Sequence, residues 1–360
     1  MTSAPIAIVG GGLSGLCAAY YLQQQGIAFE LFEARARLGG RILGTQTHGL
    51  DLGPSWFWPG QRQIASLIME LGLQEHIFPQ ASDGLSVMEY GDGSLQRSHG
   101  GASMAGSNRL AGGMTLIIET LAGILPTESI QISSDVLHIA QTPNGISITI
   151  RQFSAESTRH FRHVILALPP RVVSQSISFH PGLPSKDEQL LDQVPTWMAG
   201  QCKFIAEYAD AFWLEQGLSG DGFSQLGPLS EIHDASAHSG NTSALFGFVG
   251  IAPEQRHGKD DALKQAAIHQ LTRMFGEAAG SPIAVHLKDW AFDKRTATVH
   301  DRSLHRAQGH GRPTLGTEWQ DRVLWAGTET AGLTEHANGY LEGAVESGNR
   351  AATLAAKLLD

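Results

Sequence analysis

Residues 5–26 read PIAIVGGGLSGLCAAYYLQQQG, which is a strand, a glycine turn and a helix in that order. Ile6 to Val9 form a short apolar run of the kind buried in a parallel sheet. Gly10, Gly12 and Gly15 follow with the spacing G-x-G-x-x-G. Gly10 permits the tight turn, Gly12 lets the backbone approach a pyrophosphate, and Gly15 lets helix and strand pack closely. The helix, expected from about Ser14 to Gln25 with Leu13 at its mouth, presents N-terminal amides to that anion. Gly26 closes it. A second strand, AFELFEA, follows and carries Glu33, 23 residues after Gly10. An acid at that distance suits the ribose hydroxyls of an adenosine. The glycine triplet alone is weak evidence. With the strand before it, the helix after it and the acid beyond, it reads as a dinucleotide site, without choosing between NAD and FAD.

The bulk properties fit two domains, or one large α/β unit with an insertion. The chain has 360 residues, 42% hydrophobic and only 17% charged, which supports a large core and argues against disorder. Its net charge of −10 argues against nucleic acid as a partner. The two cysteines, Cys17 and Cys202, make no disulfide framework and fit a reducing compartment. The N-terminal stretch enters a strand without a basic region or a signal-length apolar segment. No apolar run is of membrane-spanning length. These features predict a cytoplasmic protein without membrane anchorage. His300, His305 and His310 are spaced by five, which suits no common zinc pattern, so no metal is expected.

The stretch after Glu33 is more specific. EARARLGGRI places Arg35, Arg37, Gly39, Gly40 and Arg41 directly behind the ribose acid. It resembles the second-glycine signature of the flavin-containing amine oxidase family. Two glycines and an arginine let backbone and guanidinium reach one diphosphate. Further matches run along the chain. GLDLGPSWFWPGQ (49–61) resembles the family's loop beneath the flavin, with Asp51, Gly53, Pro54 and Ser55, and with Trp56 at a site-lining aromatic position. LAGGMTLIIETLAGIL (110–125), SSDVLHIAQ (133–141) and HVILALPPRVV (163–173) are similar to its later nucleotide-domain segments. RVLWAGTETAGLTEHANGYLEGAVESGNRAATLAAKLL (322–359) is the most specific match, a strand, a turn and an amphipathic helix. The dipole of that helix can meet negative charge developing on a reduced ring, and an apolar stripe runs through Ala344, Val345, Ala351, Leu354, Ala355 and Leu358.

The resemblance implies an α/β fold of the two-dinucleotide-binding-domain flavoprotein kind. A Rossmann-type FAD domain would be built from 1–80, 105–190 and 293–360, with a smaller α+β substrate domain from 81–104 and 191–292. It implies FAD contacts from Gly10, Gly12, Leu13, Ser14 and Gly15, from Glu33, Ala34 and Arg35, and from Gly39, Gly40 and Arg41. Further contacts would come from Gly53 to Trp56, from the main chain at Val136, and from Ala167. The remaining ones would be Gly327, Thr328, Glu329, Gly339, Tyr340, Leu341 and Ala344. In the substrate part, TSALFGFVGIA and PIAVHLKDW read as strands, and DDALKQAAIHQLTRMFG as a helix with Leu263, Ala267, Leu271 and Met274 on one stripe.

Three departures from the family stand out. Between Pro79 and Gly112 there is only a short Gly/Ser/Ala-rich stretch with an Asp92-Gly93 hairpin signal, where larger members carry a helical insertion. This predicts a smaller, more open substrate domain. KDWAFDKRTATVHDRS (288–303) has no cysteine, with Val299 near the position where some members attach the flavin, so FAD is expected to be non-covalent. Of the aromatic pair that sandwiches the amine in monoamine oxidases, Tyr340 matches one wall, and His300 aligns with the other.

AGQCKFIAEYADAF (199–212) poses a sharper question. Cys202, Phe204 and Ala206 mark one face, and Lys203 and Ile205 the other. Lysine is costly to bury unpaired, so the plain reading is an edge strand with Lys203 in water. The resemblance gives another: the family's strand here carries a lysine bound through a water to the flavin, and a cation there helps O2 accept electrons. The function implied is oxidation of an amine C–N bond by hydride transfer to flavin. Imine hydrolysis and flavin reoxidation by O2, with hydrogen peroxide released, would follow. A related desaturase or dehydrogenase of a non-amine substrate, or a non-catalytic flavin-binding protein, are the alternatives.

Overall fold

Ile6–Val9 is the middle strand of a five-stranded, all-parallel sheet. Across the sheet the order is Val323–Trp325, His163–Leu166, Ile6–Val9, Phe29–Phe32 and Ile130–Gln131. In the computed structural model the described residues are 5–100, 103–238, 242–302, 319–332 and 338–359; His305 and His310 lie outside them. The apolar run is continuous because both faces of the sheet are covered. Ile6 and Ile8 join a core with the helices Leu13–Gln24, Arg62–Glu70, Thr115–Ile124 and Leu341–Leu359. Ala7 and Val9 face a ribbon of Ser134–Thr142, Gly145–Gln152 and Ala155–Phe161, which contributes Ile146, Ile148 and Ile150.

The glycine spacing is explained by close approach. A β-carbon on Gly15 would sit 1.9 Å from the Gly10 carbonyl oxygen. One on Gly348 would sit 2.5 Å from the Ser14 carbonyl oxygen, which is how the first and last helices pack. The last helix therefore buries a face of small residues, Gly343, Ser347, Gly348, Ala351 and Ala355. Leu354, expected on its apolar stripe, is instead exposed. Backbone proximity, and not side-chain bulk, sets which face turns inward.

A seven-stranded sheet forms the second layer. Its order is Ala284–Asp289, Cys202–Tyr208, Ser243–Val249, Leu229–Asp234, Leu218–Ser224, Leu85–Glu89 and Leu95–Ser98. Gly93, with φ of 84°, turns the hairpin between the last two. Cys202–Tyr208 is not an edge strand: it pairs antiparallel with Ser243–Val249 on one side and Ala284–Asp289 on the other. Cys202, Phe204 and Ala206 pack under the helix Asp260–Phe275 through Leu263, Ala267, Leu271 and Met274. Ile205 meets a different cluster, with Leu50, Leu52 and Phe246. Among the described residues between Pro79 and Gly112 there is no helix, and no described helix is long and apolar enough to cross a membrane. Both cysteines are free and buried.

Candidate active site

A cleft opens at the carboxyl ends of the parallel strands, where such sheets bind ligands. Gly10, Glu33 and Ala167, each just beyond a strand end, line it, and its other wall is the inner face of the seven-stranded sheet. The helix mouth, Gly12, Leu13 and Ser14, opens into it. Gly12 caps this helix without any side-chain hydrogen bond to the free amides. A β-carbon on Gly12 would have no protein atom closer than 3.9 Å, so the space above it belongs to the cleft. Gly39 and Gly40, with φ of 99° and 58°, lie beside it. Arg37 donates to the carbonyls of Leu38, Gly40 and Ile42 and so holds this turn closed. An uncapped helix mouth with side-chain-free backbone beside it fits a diphosphate. Gly15 does not line the cleft; it is a packing glycine.

Glu33 is buried and accepts from the backbone N–H groups of Gly11 and Arg35, both at 2.8 Å. This ties the glycine turn to the second strand and leaves the carboxylate at the cleft wall. Next to it a smaller cavity is lined by Ala34, Ser134, Val136 and Ile177, with Gly10 and Glu33 shared. The ladder shifts register between Val136 and His138, so the main chain there is partly released from the sheet.

Arg41 reaches the cleft, yet both ends of its guanidinium fork bind Glu329, at 2.6 and 2.9 Å. Glu329 is buried and also accepts from the Trp197 N–H at 3.2 Å. Glu329 does not itself line the cleft; it acts on Arg41 and Trp197. Gly327 and Thr328 do line it, and the Thr328 hydroxyl donates to the Tyr340 carbonyl. Gly339, Tyr340, Leu341 and Ala344 continue the same wall.

Lys203 lies at the cleft and is only 3% exposed. Its ammonium donates to the Ser55 hydroxyl at 2.6 Å and to the Gly53 carbonyl at 3.1 Å. It sits 4.1 Å from the ring centroid of Phe246. Burial drives its pKa down to about 7; Asp51 acts in the opposite sense and Arg109 adds to the fall. Burial likewise pushes the carboxyl of Asp51 up, against Lys203 and the Met114 N–H. Gly53, Pro54, Ser55 and Trp56 line the cleft along the same loop. Behind Trp56 stands the buried His233, edge-on at 5.3 Å. Burial works against its charge, and hydrogen bonds to Asp221 and Glu231 outweigh that, so its pKa lies above the ordinary value.

The aromatic wall differs from expectation at one residue. Tyr340 lines the cleft, but His300 does not: it is exposed, on the short helical turn Val299–Asp301, with its carbonyl facing Arg171. The neighbouring Asp301, not His300, points inward, accepting from Thr196 and Thr298. Tyr340 is flanked instead by Trp58, edge-on at 6.1 Å, and Trp197 at 5.7 Å.

The sequence profile described as flavin containing amine oxidoreductase matches residues 85–356. The chain belongs to this family. A Rossmann-like NAD(P)-binding profile matches residues 8–71. A probable flavin-containing monoamine oxidase A of Dictyostelium discoideum is 24% identical, with 96% of each chain covered. An L-amino acid dehydrogenase of Synechocystis sp. is also 24% identical, covering 98% of this chain and 94% of the relative. A putrescine oxidase structure with putrescine bound superposes with a TM-score of 0.79 at 21% identity, covering 97% of this chain and 98% of the other. That last likeness speaks to fold alone.

For a flavin amine oxidoreductase the family implies FAD, and the uncapped helix mouth and open Gly12 fit it. Within this family member, Trp58, Trp197, Met198 and Phe248 line the cleft without having been singled out by sequence. Trp58 had a readable signal: it lies two residues after Trp56, the spacing that returns extended chain to the same side. Trp197 sits in a loop with no periodicity, and only tertiary contacts reveal it.

Proposed function

We propose that this family member is an FAD-dependent amine oxidase. It would remove a hydride equivalent and a proton from the H–C–N–H unit of a neutral amine. Water then converts the imine to carbonyl and ammonia or a smaller amine, and O2 leaves as hydrogen peroxide. FAD, when bound, would supply the two-electron acceptor between the amine and O2. The observation that carries this reading is Lys203, a buried cation in the cleft beside an apolar aromatic wall. The wall of Trp58, Tyr340 and Trp197 desolvates the amine, which favours its neutral, reactive form. Lys203, anchored by Gly53 and Ser55, holds a proton and positive charge where reduced oxygen gains negative charge.

FAD binds without a covalent bond in this proposal. Val299 is exposed and lies outside the cleft lining, and neither Cys17 nor Cys202 is among the cleft-lining residues. The FAD-binding domain comprises 1–80, 105–190 and 293–360, and the substrate domain 81–104 and 191–292. The test is anaerobic titration of the FAD-loaded protein with primary and secondary amines and amino acids. Bleaching of the flavin by an amine, with carbonyl product and peroxide on admitting O2, supports the proposal. Bleaching only by carbocyclic or polyene compounds overturns it.

A further inference from the structure

The loop before the Lys203 strand is held with unusual care for an irregular segment. The Thr196 N–H donates to Asp301 at 3.0 Å and the next N–H, of Trp197, to Glu329 at 3.2 Å. The Trp197 carbonyl accepts from Arg41 at 3.4 Å. Both carboxylates are buried, and each is itself fixed by an arginine, Arg171 on Asp301 and Arg41 on Glu329. Met198, next in line, has φ of 53°, a strained backbone for a residue with a side chain. Its neighbour Trp197 lies so close over Gly339 that a β-carbon there would be 2.4 Å from the indole Cγ. Buried ion pairs and strain persist only where the surroundings enforce them.

We propose that Arg41–Glu329 and Arg171–Asp301 clamp the Thr196–Met198 loop. In this proposal Trp197 is a fixed specificity wall beside Tyr340 for monoamines with an apolar, ring-bearing body. The proposal rests on the amine-oxidation reading. Apart from Lys203, whose hydrogen bonds go to the neutral Ser55 and Gly53, the described charged residues of the cleft already have charged or backbone partners. Arg35 pairs with Asp293, Arg41 with Glu329 and Arg295 with Asp135. Glu33 accepts two backbone N–H groups. A second ammonium would therefore enter an apolar wall without a free carboxylate among the described residues, at a desolvation cost.

The experiment uses the FAD-loaded full chain with Trp197→Ala, Trp197→Phe and Glu329→Gln. Substrates are benzylamine, cyclohexylamine and putrescine. Aniline, which has no α-hydrogen to lose, reports binding alone through the flavin visible spectrum. For the ring amines, Trp197→Ala raises KM, and the aniline Kd, about tenfold or more, with the limiting reduction rate within about threefold. Trp197→Phe restores both to within about threefold, and Glu329→Gln moves KM in the same direction. Putrescine gives kcat/KM at least about tenfold below the ring amines. If Glu329→Gln does not load FAD, the two Trp197 variants decide. Unchanged aniline binding in Trp197→Ala, a loss confined to the reduction rate, or a preference for putrescine overturns the proposal. If no amine bleaches the wild type, the amine reading falls and the aniline titration still decides the wall. Lost aniline binding in Trp197→Ala upholds it, and no aniline binding by the wild type overturns it.

Discussion

The Lys203 ammonium donates to the Ser55 hydroxyl across 2.6 Å, joining the second strand of the seven-stranded sheet to the loop after the first two parallel strands. Both residues are buried, and both line the cleft. A lysine on an interior strand would be a liability in a purely structural role, since the ammonium loses its hydration there. Ser55 and Gly53 restore two of its hydrogen bonds, and Phe246 lies under it. What remains is a charge placed where the proposed chemistry generates negative oxygen.

Lys203→Met is expected to keep FAD bound and to slow reoxidation of reduced flavin by O2, by about tenfold or more. Reduction by amine should change far less, because no proton at the reacting carbon depends on Lys203. Stopped-flow mixing of reduced protein with O2 reads the effect. Reoxidation at the wild-type rate would return Lys203 to a structural role.

The pH dependence follows from the depressed pKa. Lys203 is charged below about 7 and neutral above it, so the reoxidation rate should fall as pH rises through that point. Asp51 holds the lysine pKa up. Asp51→Asn removes that support while an amide oxygen can still accept from the Met114 N–H. The midpoint of the reoxidation profile should therefore move to lower pH. A midpoint that stays or rises would mean another group controls the profile.

The same shift has a stability consequence. The unfolded chain keeps Lys203 charged up to pH 10.5 while the folded chain releases its proton near 7, so unfolding takes up a proton between those values. The penalty for burying the lysine is full below about 7 and fades as pH rises towards 10.5. Wild type should gain stability relative to Lys203→Met across that window, by roughly 1 to 4 kcal/mol. Denaturant unfolding of the two proteins at several pH values measures the difference, and parallel curves would refute it.

Much of the fold was legible because it depends on short-range patterns. The apolar run Ile6–Val9, the three glycines and Glu33 lie within thirty residues, and each reports its own local geometry. Strand alternation likewise separated Lys203 and Ile205 from Cys202, Phe204 and Ala206. What was not legible depends on residues far apart in sequence. That Lys203 lies on an interior strand needs Ala284–Asp289 to pair beside it. That Arg41 faces Glu329 needs a partner 288 residues away. His300 was placed by alignment to a wall position, but the buried carboxylate of Asp301 takes the inward place on that turn and sends the imidazole to the surface. Periodicity alone turns Leu354 inward, whereas close backbone packing at Gly348 rotates the small-residue face towards the first helix instead.

The glycines of the first turn separate cofactor binding from folding. Gly12 and Gly15 share one motif, yet their surroundings differ. A methyl on Gly12 meets no protein atom within 3.9 Å, and its φ of −77° is open to any residue. It would project into the space where the diphosphate is proposed to lie. A methyl on Gly15 would meet the Gly10 carbonyl oxygen at 1.9 Å, so the helix must move off the strand. Gly12→Ala should therefore leave the thermal midpoint of the FAD-free protein nearly unchanged and weaken FAD binding about tenfold or more. Gly15→Ala should cost roughly 1–3 kcal/mol of stability in the FAD-free protein, as overpacking does. Thermal unfolding of stripped protein and titration with FAD separate the two effects. If Gly12→Ala binds FAD normally, the diphosphate does not rest on that backbone, and the cofactor must enter the cleft in another orientation.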